Sequence, residues 1–161
     1  MRVVRRAFEL RPDPVPTLDP KGEYLTRVWR DSVYPLAEQL GMAIRLPSVQ
    51  PRSRLAHAAA RYAATQGRLA AFHSEVFRAF FQRGEDIGQH EVLAAIGEMV
   101  GLDAAALRHT LDTREFEAEV VADEKLAEQL SVSAVPAYVV NRHKMVTGVR
   151  TLEELRRICG L

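Results

Sequence analysis

The side chains most able to do chemistry in this sequence are few, and the scarcest is the thiol. Cys159 is the only cysteine among 161 residues. One thiol cannot close an intramolecular disulfide, so no disulfide framework holds the fold. Disulfide exchange by an attacking and a resolving cysteine needs a second thiol that these residues do not hold. Cys159 also falls in the last turn of a predicted helix, where the negative end of the macrodipole opposes thiolate formation. The expectation is a packed or inert surface thiol.

The five histidines are His57, His73, His90, His109 and His143. None is paired at a metal-ligand spacing such as His-x3-His, and no cysteine cluster supports them, so no metal is expected. No serine sits in a Gly-x-Ser-x-Gly elbow, and no glycine-rich loop could cradle a phosphate. No cofactor is expected. Phe72, Val76, Phe77, Phe80 and Phe81 recur at helical spacing and read as core or cleft wall. Glu115, Glu117, Glu119, Asp123 and Glu124 follow a helix start, and the simplest reading is a solvated face compatible with the dipole. What stands out is Val135-Pro136, because proline has no N–H and normal strand pairing cannot begin there.

The elements that must position these residues are mostly helical. Val3 to Leu10, rich in Val and Phe, predicts a strand stopped by the proline-rich stretch to Gly22. Apolar residues at helical spacing predict a helical segment from Glu23 to Leu40, with Gly41 at its end and, because of Pro35, either a kink or two shorter helices. Ile44 to Val49 is an irregular connection. Further helices are predicted over Ser53–Gln66, Leu69–Gln82, Gln89–Val100 and Ala104–Leu111, the last capped by Asp103. Asp112-Thr-Arg-Glu115 reads as a capping box opening a helix to about Leu130. After Ser131 the texture changes. Val135, Tyr138, Val139 and Val140 form a strand, Asn141 to Lys144 turn, and Met145 to Gly148 return. Thr151-Leu-Glu-Glu154 is a second capping box, opening a last helix with Leu152, Leu155 and Ile158 on one face.

Bulk composition limits the partners. A net charge of +1, with 47% hydrophobic residues, gives no case for nucleic acid or a membrane surface. The start, Met1-Arg-Val-Val-Arg-Arg, has no apolar run behind its basic residues, and no segment approaches a membrane span. The expected compartment is the cytoplasm.

Leu130-Ser-Val-Ser-Ala-Val-Pro-Ala-Tyr-Val-Val-Asn141, followed by Met145-Val-Thr-Gly148 and the capped helix, resembles the closing half of a thioredoxin fold. Phe8-Glu-Leu-Arg-Pro-Asp13, Pro51-Arg-Ser-Arg-Leu-Ala-His57, the aromatic-Gly-acidic-Ile-Gly segment from Phe77 to Gly88, and Gly101-Leu-Asp103 resemble, in order, segments of DsbA-like proteins of the FrnE type. 2-Hydroxychromene-2-carboxylate isomerases and kappa-class glutathione transferases are more distantly similar. The resemblance implies an α/β, incomplete thioredoxin-like domain over 1–161. Residues 1–22 and 131–161 would form its thioredoxin-like part, and 23–130 a helical insertion. It implies a cis bond before Pro136, with the N–H and C=O of Val135 open to an extended peptide or glutathione. It sets His57 near the cleft mouth, although a surface or capping histidine is the simpler reading of that residue.

The chain departs from the family by starting one element late, without the first strand and the Cys-x-x-Cys helix. The expectation is therefore an oxidoreductase-like protein without disulfide exchange of its own. The alternatives are a peptide-binding module using the Val135–Pro136 loop, or a relative of the glutathione-linked enzymes. A missing central strand would leave two edges unpaired. The edges closing on each other, a strand exchanged in a homodimer, or a separate N-terminal fragment could fill the gap; the homodimer is favoured.

Overall fold

The computed structural model describes residues 3–161. The basic start thus lies partly outside the described residues, at Met1 and Arg2. From Val3 to Leu10 the chain carries no sheet pairing, which corrects the predicted strand. Its backbone is tied down differently: the Ala7 N–H donates to the Asp123 carboxylate at 2.8 Å. A side chain therefore satisfies a buried donor that a ladder would otherwise satisfy.

Helix α1 (Glu23–Val28) runs through a π-helical turn (Trp29–Val33) into α2 (Tyr34–Gln39). The Tyr34 N–H reaches the Trp29 carbonyl, five residues back. Of the two expected outcomes, the segment divides into two shorter helices, and the wide turn between them lets Pro35 enter at the start of the second, where its missing N–H leaves no gap. A second π turn (Ala79–Arg83) closes α4 (Leu69–Arg78), and Gly84 takes φ +73° behind it. Trp29 joins the two turns, with ring centroids 6.0 Å from Phe81 and 5.4 Å from Tyr34.

The core forms around α3 (Arg54–Thr65), which packs against α4, α5 (His90–Met99), α6 (Ala104–Asp112) and α7 (Glu117–Gln129). Its buried face is alanine: Ala56, Ala58, Ala59, Ala60 and Ala63. Small side chains let the neighbours approach closely, so Phe72, Leu93, Ile96, Leu107, Leu111 and Val120 are excluded from solvent. At Gly97 on α5 an added Cβ would stand 2.7 Å from a Leu107 methyl, so glycine there is a packing requirement.

Asp103 caps α6 through bonds from the Ala105 and Ala106 N–H groups. The Asp112–Glu115 capping box does not form. Helix α6 continues through Asp112, Arg114 turns left-handed at φ +54°, and α7 starts at Glu117 without a side-chain cap. Glu115 instead pairs with the Thr110 hydroxyl. The chain ends in a two-stranded antiparallel sheet, β1 (Ala137–Val140) on β2 (Lys144–Thr147), and helix α8 (Leu152–Cys159). The protein is thus helix-rich with a small sheet.

Candidate functional site

The Val135 loop is built from the end of α7 onward. Ser131 turns left-handed at φ +56°, and the Val132 N–H returns to the Ala127 carbonyl at 2.9 Å. This terminates the helix and aims the chain toward β1. The Val135–Pro136 peptide is cis. The Pro136 carbonyl accepts the Gly148 N–H at 2.8 Å, anchoring the loop to the far end of β2. Val139 then faces Met145 across the sheet, and Tyr138 faces Val146. At the tip, Asn141 (φ 52°) and Arg142 (φ 64°) are both left-handed, the geometry that matches hairpin twist. Among the described residues, neither the N–H nor the C=O of Val135 is hydrogen-bonded within the chain. Its side chain is 44% exposed.

A groove of about 430 Å³ lies beside α7. Phe8, Leu10 and Pro12 of the N-terminal segment form one wall. Val121 and Glu124 of α7, with Val132, form the other. The charged side chains of Glu9, Lys125 and Glu128 also line it, and Val132 is its last residue along the chain, three before Val135.

The structure does not bring His57 to that groove. It lies on α3, against a second cavity of about 70 Å³ that it shares with Arg5 and His73. Burial lowers its pKa, with the Phe8 backbone, Glu9 and Asp123 opposing, so the ring is neutral near pH 7. Cys159 is a half-buried free thiol at the end of α8. The described residues hold no group of three or more side chains able to bind a metal, and no helix among them is long and apolar enough to cross a membrane.

The acidic run is solvated only in part: Glu115 and Glu119 are exposed, Glu117 and Glu124 are half-buried, and Asp123 is sealed. Asp123 is 2% exposed and accepts from Arg6, Arg61 and the Ala7 N–H. Glu9 is buried under Arg54, at 2.5 Å, and the same guanidinium reaches Glu124 at 3.2 Å and Glu117 at 3.5 Å. Burial pushes Glu124 up to about 7, helped by the adjoining Glu9 carboxyl and opposed by Arg54. The signal for this lattice was in the spacing. Phe116, Val120 and Asp123 recur at helical intervals, and the first two are buried. A carboxylate on an apolar stripe is a paired carboxylate. The aromatic stripe also divides: Phe72 is core, whereas Phe77 is exposed and stacks on Phe81 at 6.1 Å.

Known proteins resemble this arrangement along its whole length. A family model described as "DSBA-like thioredoxin domain" matches residues 1–159. The uncharacterized protein YwbO of Bacillus subtilis (strain 168) is 34% identical over 137 residues, covering 83% of this chain and 68% of YwbO. Among solved structures, SCO1869 from Streptomyces coelicolor, described as a "probable DsbA oxidoreductase", superposes with a TM-score of 0.79 at 24% identity. That match covers 96% of this chain and 72% of the other. A suggested protein disulfide isomerase from Nitrosomonas europaea gives 0.73 at 17% identity, covering 93% and 77%. These two similarities speak to the fold.

Proposed function

We propose, from the premise that this chain belongs to the DSBA-like thioredoxin domain family, that it is a thiol–disulfide oxidoreductase-like protein whose own share is to hold an extended peptide or thiol substrate at the Val135–Pro136 loop. The observation that carries this reading is the half-exposed Val135 with its backbone donor and acceptor both free within the chain. Main-chain pairing on such a residue binds peptides of varied sequence, because every peptide offers the same backbone groups. Glutathione, a thiol peptide, offers them too.

The chain's one cysteine, Cys159, caps the wrong end of a helix for thiolate chemistry and has no resolving partner in these residues. The 161-residue chain is therefore expected to bind without exchanging disulfides. Insulin reduction with dithiothreitol tests this: turbidity should develop no faster than with dithiothreitol alone, and an accelerated onset would overturn the reading. Within the family, the resemblance of Phe8-Glu-Leu-Arg-Pro-Asp13 to the FrnE type supports reading the chain as a member of that group. A cytoplasmic setting suits a lone free thiol, which stays reduced there.

The partner we assign to the exposed edge of the hairpin is a second copy of the chain. A lone two-stranded sheet is marginal in water, and α8 buries none of its residues although Leu152, Leu155 and Ile158 share a face. Light scattering at micromolar concentration should give a dimer; a strict monomer removes this partner.

A further inference from the structure

We propose that Glu9 and Glu124 form a proton-dependent latch that holds the N-terminal segment against α7 and thereby sets the width of the groove between them. The inference is independent of what that groove binds.

The geometry starts from a shortage of cations. Arg6, Arg54, Arg61 and Arg114 face Glu9, Glu117, Glu119, Asp123 and Glu124. Arg6 and Arg61 are both engaged by Asp123, which also accepts the Ala7 N–H. Arg54 alone serves Glu9 and Glu124, and it shares Glu117 with the exposed Arg114. Glu9 has 2% of its side chain exposed, so water cannot screen it. One oxygen of Glu124, Oε1, is buried without any hydrogen-bond partner. A carboxylate oxygen in that position is costly, whereas a carboxylic acid can donate to its neighbour. The neighbour is the Glu9 carboxyl, and one proton between the two removes both the repulsion and the unmet acceptor.

The charged groups around Glu124 all bear on this. The N-terminal segment contributes Glu9 and Arg6; α3 contributes Arg54, Arg61 and the neutral His57. Its own helix contributes Glu117, Glu119, Asp123, Lys125 and Glu128. Losing the proton adds a fifth negative charge opposite four guanidiniums, of which only Arg54 reaches Glu9 and Glu124. Glu124 and Asp123 then repel the segment at Glu9, and the wall made by Phe8, Leu10 and Pro12 moves away from Val121. The latch is closed below neutral pH and loosens above it.

Hydrogen exchange of the full chain, read on peptides covering residues 3–13 and corrected for intrinsic pH dependence, tests the latch. In the wild type, protection at Ala7 should fall about tenfold between pH 6 and pH 8. Glu124→Gln carries a neutral donor in the same place, so its protection should stay flat over that range. Flat protection in the wild type overturns the latch, as does an equal fall in E124Q. Should E124Q fold poorly, side-chain carboxyl NMR of the wild type decides: a Glu124 midpoint near neutrality sustains the latch, and one in the ordinary carboxylate range rejects it.

Discussion

The helical body and the C-terminal hairpin with α8 are held together by different means. In the body, Phe72, Leu93, Ile96, Leu107, Leu111 and Val120 are sealed around the alanine face of α3. In the C-terminal unit no residue of α8 is buried, and Val135, Val139, Met145, Val149 and Leu152 face solvent. Its shape comes from local devices: a reciprocal Thr151–Glu154 capping box, two left-handed residues at the hairpin tip, and a Gly148-to-Pro136 bond. Local specification can therefore shape a unit that long-range packing does not yet stabilise. An exposed loop with free backbone groups belongs to that kind of unit.

Substitutions that separate packing from local specification should break the two regions differently. Phe72→Ala empties a sealed site, and urea unfolding should show a loss of about 3–5 kcal/mol. Asp123→Ala leaves Arg6, Arg61 and the Ala7 N–H without their acceptor, and about 3 kcal/mol should go the same way. A loss under about 1 kcal/mol would mean that the N-terminal segment is not anchored as described. The matching truncation in α8, Ile158→Ala, should cost much less, since that residue is only half-buried. Its cost should grow with protein concentration as the second copy covers α8, and a cost independent of concentration would remove that partner.

The pH dependence follows from Glu124. Its folded-state pKa of about 7 lies above the ordinary 4.5. Between those values the folded chain keeps a proton that the unfolded chain has released, so this group's contribution falls as pH rises through the window and levels off above it. The difference should be on the order of 2 kcal/mol, discounted for partial exposure. Glu124→Gln should remove that slope from chemical unfolding measured at several pH values. The smallest effect is expected at Thr151. Thr151→Ala deletes an N-cap worth about 1 kcal/mol, and it should raise exchange within α8 while leaving the global midpoint in place.

The legibility of the sequence follows the same division. Asp103, Thr151 and the Asn141–Arg142 turn act within a few residues, so their roles could be read from spacing alone. Val3–Leu10 could not. Its composition is that of a strand, but the group that satisfies Ala7 is Asp123, on a distant helix. The Asp112–Glu115 box was misread because α6 overran it, leaving Arg114 to make the turn. Long-range charge pairing has no local signature beyond a carboxylate on an apolar stripe, and Asp123 was such a carboxylate.

The most direct test of the central claim is a titration of the isotope-labelled 161-residue chain with an unstructured peptide, followed amide by amide. The Val135 and Ala137 signals should move saturably, together with those of Val132 and Leu10 along the groove, while the signals of His57 and His73 stay still. Signals that remain fixed at Val135, or shifts confined to the helical body, would contradict the account.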